Sequence, residues 1–381
     1  MGQCKRNGEL RNRDAPRSSG DARVLWVKRM SRIAKVGRAG ATLGATMGVL
    51  AAGAAVGLAA ERYMVGRSLK KADPRVDGPW RGESYDVDES VVVASDGVRL
   101  ISESMGDPLA KKVVIFAHGY ALDRRSWWYQ WRDLPAHLGP DTRLVRYDQR
   151  GHGESEYEPI DSINALGEDL HSVLTQYSAE EVYLVGHSMG GMSILALARK
   201  YPELFGKVIK GVVLVSSTSG ESDESRLGTP LLDLPLVSNY APQILDFLAD
   251  RSELVERGMR AGKDLAFVMT KRYSFASQVD PRLVEFVSEM IRDTSIEVIA
   301  DFFPLFQEFD AFEALRVLKK VPTEFFCGLA DRLTPPDHTS TMGEQVPKAR
   351  VHLLPKTGHL LMLERPDQVT ESIVRLVRDE A

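Results

Sequence analysis

Ser188 stands in the pattern Gly186-His187-Ser188-Met189-Gly190, directly after the apolar run Val182-Tyr183-Leu184-Val185 and just ahead of a stretch with helical spacing, Met192 to Lys200. A serine hydroxyl is a weak nucleophile until a base takes its proton, so any chemistry depends on where this pattern sits. An unbroken apolar run of this kind reads as a buried parallel strand. Passing from strand to helix within five residues demands a sharp, strained bend. Glycines at 186 and 190 remove the side chains that would collide there. Ser188 is then presented at the apex, at a helix N-terminus where developing negative charge is favoured. A bare Gly-x-Ser-x-Gly also arises by chance in glycine-rich turns, but strand before and helix after make the catalytic reading the stronger one.

A base, an acid and an oxyanion site must come from elsewhere. The chain has eight histidines. His187 adjoins the serine and should point into the packing, His118 ends a strand, and His152 lies in a turn between glycines. His137 and His171 fall on expected helices, His352 is inside a strand, and His338 follows Pro335-Pro336 in a loop. His359 follows Thr357-Gly358 after the last strand, at the sheet edge where Ser188 also sits, and the order serine, acid, histidine favours it. The acid expected by the same topology is Asp331, in the loop after the strand that ends at Gly328, with Asp337 as its near competitor. Asp331 would orient and stabilise the imidazolium of His359. Ser216-Ser217-Thr218 occupy the place after the preceding strand, which leaves no acid there. The backbone N–H groups of Met189 and Tyr120 are the expected oxyanion donors.

The elements that must position these residues alternate. Asp96-Gly97 between Ser90–Ala94 and Val98–Ile101 is a hairpin signal. Val113–Ala117 reads as a buried strand ending in His118-Gly119-Tyr120, and Ser126 to His137 as a helix carrying Trp127, Trp128 and Trp131. Leu144–Tyr147 is a strand leading into Asp148-Gln149-Arg150-Gly151-His152-Gly153-Glu154-Ser155. A helix over about 164–178, the Ser188 strand and helix, and the strand Gly211–Val215 follow. Such alternation means a mainly parallel sheet with helices on both faces. From about 219 to 320 the spacing is helical, with no convincing strand. An insertion there is placed to roof the site. Strands return at Thr323–Gly328 and Val351–Leu354, and Gln368 to Arg378 makes a closing helix.

In combination these motifs resemble the α/β-hydrolase fold superfamily, and its serine esterase, lipase and monoacylglycerol-lipase-like branches in particular. The motifs are His118-Gly119-Tyr120, Asp148 to Ser155, Gly186 to Gly191, Gly328 with Asp331, and Gly358-His359. The resemblance runs from about Ser90 to the C-terminus. It implies an eight-stranded, mainly parallel sheet, a helical lid and no cofactor. Epoxide hydrolases and haloalkane dehalogenases share the scaffold but carry Asp at the nucleophile position, where this chain has Ser188.

The layout expected is a basic, disordered tail over 1–38, a candidate membrane helix or signal sequence over 39–60 and a linker over 61–85. A core over 86–218 and 321–381 with a helical cap over 219–320 completes it. Residues 1–38 hold eleven Lys/Arg against three Asp/Glu, too polar to fold alone. Ala39 to Ala60 is twenty-two residues without a charge, about 33 Å as a helix and enough for a bilayer core. Its Gly, Ala and Thr content makes insertion marginal. A single-pass anchor is the reading carried forward. A signal peptide, with a start at Met30 and cleavage near Ala52-Gly53-Ala54, and a helix packed on the domain are the alternatives. Cations on both sides leave orientation open.

The 381 residues suffice for a full-sized core, and 43% hydrophobic and 27% charged residues are ordinary for a globular chain. A net charge of −4 gives no argument for nucleic acid. Two cysteines and singly scattered histidines give no disulfide framework and no metal site. The expected activity is hydrolysis of carboxylic esters through an acyl-enzyme on Ser188. The alternatives are other chemistry on the same triad (C–C bond hydrolysis, thioester cleavage, cofactor-free perhydrolysis), an epoxide-hydrolase-like relative, and a non-catalytic binding protein. Two of the four aromatic residues Trp127, Trp128, Tyr129 and Trp131 read as helix core. The others, taken as Trp127 and Trp128, are with Phe302, Phe303 and Phe306 of the cap the candidate walls of an acyl pocket. A hydrophobic roof and a membrane anchor together point to lipophilic esters and to association with a membrane.

Overall fold

The computed structural model describes residues 78–79, 85–177, 179–220 and 270–379. The tail over 1–38, the uncharged run over 39–60, most of the 61–85 linker and the first half of the 219–320 segment lie outside the described residues. Among the described residues no helix is long and apolar enough to cross a membrane.

Eight strands form one sheet: β1 (Asp88–Val93), β2 (Arg99–Met105), β3 (Lys112–Ala117), β4 (Thr142–Tyr147), β5 (Glu181–His187), β6 (Ile209–Val215), β7 (Thr323–Gly328) and β8 (Arg350–Leu354). Their order is β1-β2-β4-β3-β5-β6-β7-β8. β2 runs antiparallel to both its neighbours, and every other pairing is parallel. Asp96-Gly97 makes the hairpin its residue types require: Gly97 takes φ +97° and Val98 O accepts from Ala94 N at 2.8 Å. From β3 the chain steps outward to β4 and returns across β3 to β5. The loops after β3 and β5 therefore open side by side at the carboxyl edge of the sheet, where such folds leave a crevice.

The central strands are apolar throughout because both faces are covered. On β3, Val113 and Ile115 join one hydrophobic layer while Val114 and Phe116 join the other, following the two-residue period of a strand. Helices α2 (Asn164–Gln176) and α3 (Met189–Lys200) supply Leu166, Leu170, Ile194 and Leu197 to the first layer. Helices α1 (Trp128–Leu138) and α7 (Pro366–Val377) supply Trp131, Leu134, Ile373 and Leu376 to the second.

Between β6 and β7 the described residues hold helices and no strand. Helix α4 (Pro281–Asp293) starts where the Asp280 carboxylate accepts from Arg282 N, with Pro281 in the first turn. Helix α5 (Ile296–Glu308) starts where Ser295 accepts from Val298 N. Val284 and Val287 of α4 enter the second layer, and Val298 and Phe302 of α5 enter the first. The two helices thus straddle the sheet edge.

The loop after β4 is fixed by charge. The buried Asp148 accepts from Arg124 N at 2.8 Å and Glu154 N at 3.0 Å and pairs with the Arg124 guanidinium. Arg150, 2% exposed, makes a bidentate pair with Asp169 of α2 at 2.6 Å for both bonds, and reaches Asp96 of the hairpin at 2.9 Å. Removing one partner of a buried pair strands the other charge in the interior. We expect Asp169→Ala to cost about 3 kcal/mol of stability, read as a lowered urea midpoint with an unchanged slope.

Candidate active site

Ser188 occupies the turn between β5 and α3 with φ +50° and ψ −115°, a backbone conformation few non-glycine residues adopt. Its N–H donates to Val215 O at 2.9 Å, and its carbonyl accepts from Ser217 Oγ at 2.8 Å and Gly191 N at 2.9 Å. Neighbouring chain leaves no alternative path. A Cβ on Gly190 would lie 2.1 Å from Ala117 O, and one on Gly186 would lie 2.6 Å from the Gly190 backbone. The glycines are needed for close approach, as the sequence pattern implied. The side chain of Ser188 is half-buried, and its hydroxyl makes no hydrogen bond among the described residues.

Asp331 lies in the loop after β7 and His359 in the loop after β8. Nδ1 of His359 is 3.0 and 2.9 Å from the two Asp331 oxygens. A carboxylate only accepts, so the ring proton is on Nδ1, and Nε2 of the neutral ring carries the free lone pair. Asp331 also accepts from Leu333 N at 2.9 Å, Thr334 N at 3.0 Å and Thr334 Oγ1 at 2.9 Å. Burial alone would raise its pKa, but His359 and these donors outweigh burial and hold the carboxyl below the usual carboxylate range. Asp337 is exposed in the first turn of helix α6 (Pro336–Gln345), away from this pairing.

His187 links the serine turn to the histidine loop. Its Nε2–H donates to His359 O at 3.0 Å, and the two imidazole rings are 4.8 Å apart. Burial, with His359 as neighbour, keeps its pKa well below the ordinary histidine value, so it stays neutral. The loop after β3 is braced the same way. His118 donates from Nδ1 to Gly119 O at 2.8 Å and accepts Gln149 N on Nε2 at 2.9 Å, and Ser193 Oγ holds Gln149 Oε1 at 2.7 Å. Burial holds His118 neutral and pushes His152 down to about 3. A Cβ on Gly119 would lie 3.3 Å from Ser188 Cβ, so this loop borders the serine directly. The backbone N–H groups of Tyr120 and Met189 make no hydrogen bond among the described residues.

The aromatic residues expected to share one pocket fall into two groups, Trp127 and Trp128 in one and Phe302 and Phe306 around Tyr120 in the other. Trp127, 0% exposed, packs on Phe116 with ring centroids 5.3 Å apart, inside the second layer. Trp127, Trp131 and Leu134 lie four and three residues apart, so the helical period turns them together into the core. Trp128 packs against Tyr129 and Arg132, at a cavity it shares with Tyr85, Arg124 and Phe286. Phe302 is buried in the first layer, edge-on to His152 at 5.4 Å, and Phe306 meets the Tyr120 ring edge-on at 4.9 Å. Phe303 is half-buried on α5. The Tyr120 hydroxyl donates to Ile299 O at 2.6 Å, fastening α5 to the loop after β3. Thr334, His187 and Glu364 carry contacts that the sequence did not single out. For Thr334 the Asp-x-x-Thr spacing, a common local capping pattern, was the available signal.

A sequence profile described as the alpha/beta hydrolase family matches residues 114–372. The chain is 24% identical over 231 residues to an sn-1-specific diacylglycerol lipase of Mus musculus, covering 61% of this chain and 70% of that one. It is 22% identical over 246 residues to the esterase YbfF of Escherichia coli, covering 65% and 87%. A thermophilic esterase from Thermogutta terrifontis superposes with a TM-score of 0.60 at 23% identity, over 77% of this chain and 98% of that one.

Two outcomes follow from this geometry. Strain at φ +50° should vanish with glycine, so Ser188→Gly should be about 1 kcal/mol more stable than Ser188→Ala in urea unfolding. Because the folded pKa of Asp331 lies below its unfolded value of about 3.9, the unfolded chain binds the proton first. The stabilisation is complete above about pH 5 and is lost as pH falls through the folded pKa. Asp331→Asn should therefore flatten the acid limb of stability against pH relative to the wild type.

Proposed function

The chain belongs to the alpha/beta hydrolase family, and we propose that it is a serine hydrolase of carboxylic esters. Ser188 is the nucleophile, His359 the general base and Asp331 the acid that orients it. The observation that supports this most is the Asp331–His359 pair, at 2.9 Å, on the sheet edge where Ser188 is presented, with His187 bonded to the backbone of His359.

In this reading the Ser188 Oγ–H proton passes to His359 Nε2 as Oγ attacks the ester carbonyl carbon. The oxyanion is met by the N–H groups of Met189 and Tyr120, whose donors are free for it. The imidazolium, stabilised by Asp331, returns the proton to the leaving alkoxide and the alcohol departs. Water, deprotonated by the same nitrogen, then attacks the acyl carbonyl. The acid is released and the serine proton restored. No cofactor enters these steps.

The substrates are lipophilic esters, with Phe306 beside Tyr120 and the half-buried Phe303 of the same helix as acyl-facing candidates, and no part for Trp127 or Trp128. The half-buried phenylalanines and a diacylglycerol lipase among the relatives support this. Turnover of p-nitrophenyl esters of graded chain length tests both statements. Ser188→Ala should lower kcat by at least about 10⁴-fold, and medium or long acyl chains should exceed acetate in kcat/KM. Retained turnover in Ser188→Ala would remove the mechanism. A profile that peaks at acetate would remove the lipophilic substrate class and leave the mechanism standing.

A further inference from the structure

Glu364 ends the single helical turn Leu361–Glu364 that follows His359. It is 7% exposed, yet its carboxylate meets no Lys or Arg side chain among the described residues. Three backbone N–H groups satisfy it instead. Oε2 accepts from Gly358 at 2.5 Å, and Oε1 accepts from Ala276 at 3.0 Å and Ser277 at 2.5 Å. Gly358 immediately precedes His359, whereas Ala276 and Ser277 lie far away in sequence, on the approach to α4.

The same two segments interlock a second time. Leu360 N donates to Ser274 O at 3.0 Å, so the residues on both sides of His359 are tied, one through Glu364 and one through Ser274. Packing closes the joint. A Cβ on Gly358 would lie 2.7 Å from Ser274 O and 3.0 Å from Ala276 N. Phe275 fills the hydrophobic layer beside Leu360 and Leu361.

A buried carboxylate held only by main-chain donors is a strong, directional acceptor, because its hydrogen bonds are charge-assisted. It also serves two segments at once, so neither can move without breaking bonds to it. We propose that Glu364 is a positioning residue that couples the β6–β7 insert to the general base. It fixes the backbone of His359 to residues 274–277, so that the placement of the imidazole against Asp331 and Ser188 depends on the insert being seated. This rests on the serine-hydrolase reading, and extends it with a residue outside the triad.

Glu364→Gln separates this role from mere packing. The amide is nearly isosteric, but its NH₂ must face either Gly358 N–H or the Ala276 and Ser277 N–H groups, setting donor against donor. Misplacing a catalytic group by about 1 Å can cost about 10²-fold. We expect kcat of Glu364→Gln on p-nitrophenyl butyrate to fall by about 10- to 100-fold, with KM changed less than about threefold. The acid limb of kcat/KM should move to lower pH, because an imidazolium less well aligned on Asp331 loses stabilisation. Unchanged kcat and acid limb in a folded Glu364→Gln, beside an inactive Ser188→Ala, would overturn the coupling alone. Turnover surviving in Ser188→Ala would instead remove the reading beneath it. Amide exchange in the wild type decides the matter should the variant not fold. The N–H groups of Gly358, Ala276 and Ser277 should exchange through one common opening. Ser277 exchanging rapidly while Gly358 stays protected would contradict the coupling.

Discussion

The structure turns on a steric constraint at the carboxyl end of β5. The end of β3 and the Ser217 side chain just after β6 crowd the strand-to-helix turn so tightly that a Cβ on Gly190 would meet Ala117 O at 2.1 Å and one on Gly191 would meet Ser217 Oγ at 2.3 Å. With its neighbours reduced to glycine, the chain makes the bend by placing Ser188 at φ +50°. That conformation costs of order 1–3 kcal/mol. The hydrogen bond that Ser188 N–H donates to Val215 O, the one its carbonyl accepts from Ser217 Oγ, and the packing of β3, β5 and β6 hold it in place. Strain so over-determined by its surroundings gives the side chain a defined direction before any ligand arrives.

The other half of the candidate site is electrostatic. Asp331 is buried, which alone would disfavour its charge, but four donors converge on it and keep it ionised. Its contacts with the His359 ring in turn fix the tautomer. The nearby buried histidines have the opposite character. Burial keeps His118, His152 and His187 neutral, and each donates one ring N–H to a backbone carbonyl, His118 also accepting from Gln149 N.

Much of this was legible in the sequence, because it depends on short-range patterns. Apolar runs gave the strands, Asp96-Gly97 gave the hairpin, and the order of the elements singled out Asp331 and His359, which pair at 2.9 Å. Contacts set by tertiary packing were not legible. The bond from His187 to His359 spans 172 residues, and that from Glu364 to Ala276 spans 88. No local pattern encodes either. The tryptophans show a different shortfall. Trp127 is one helical turn from Trp131 with Leu134 following, a core stripe in plain view, yet its place after the β3 loop made Trp127 a pocket candidate. Phe302 was equally ambiguous, and the structure buries it on the inner side of α5 against His152.

The central claim is that Ser188 is made nucleophilic by His359. Its most direct measurement is the rate of covalent labelling by a fluorophosphonate, with the modified peptide identified by mass spectrometry. The account predicts a single adduct on Ser188, formed in the wild type and slowed by at least about 10³-fold in His359→Ala. Labelling at a different residue, or labelling of Ser188 at an undiminished rate without the imidazole, would contradict it.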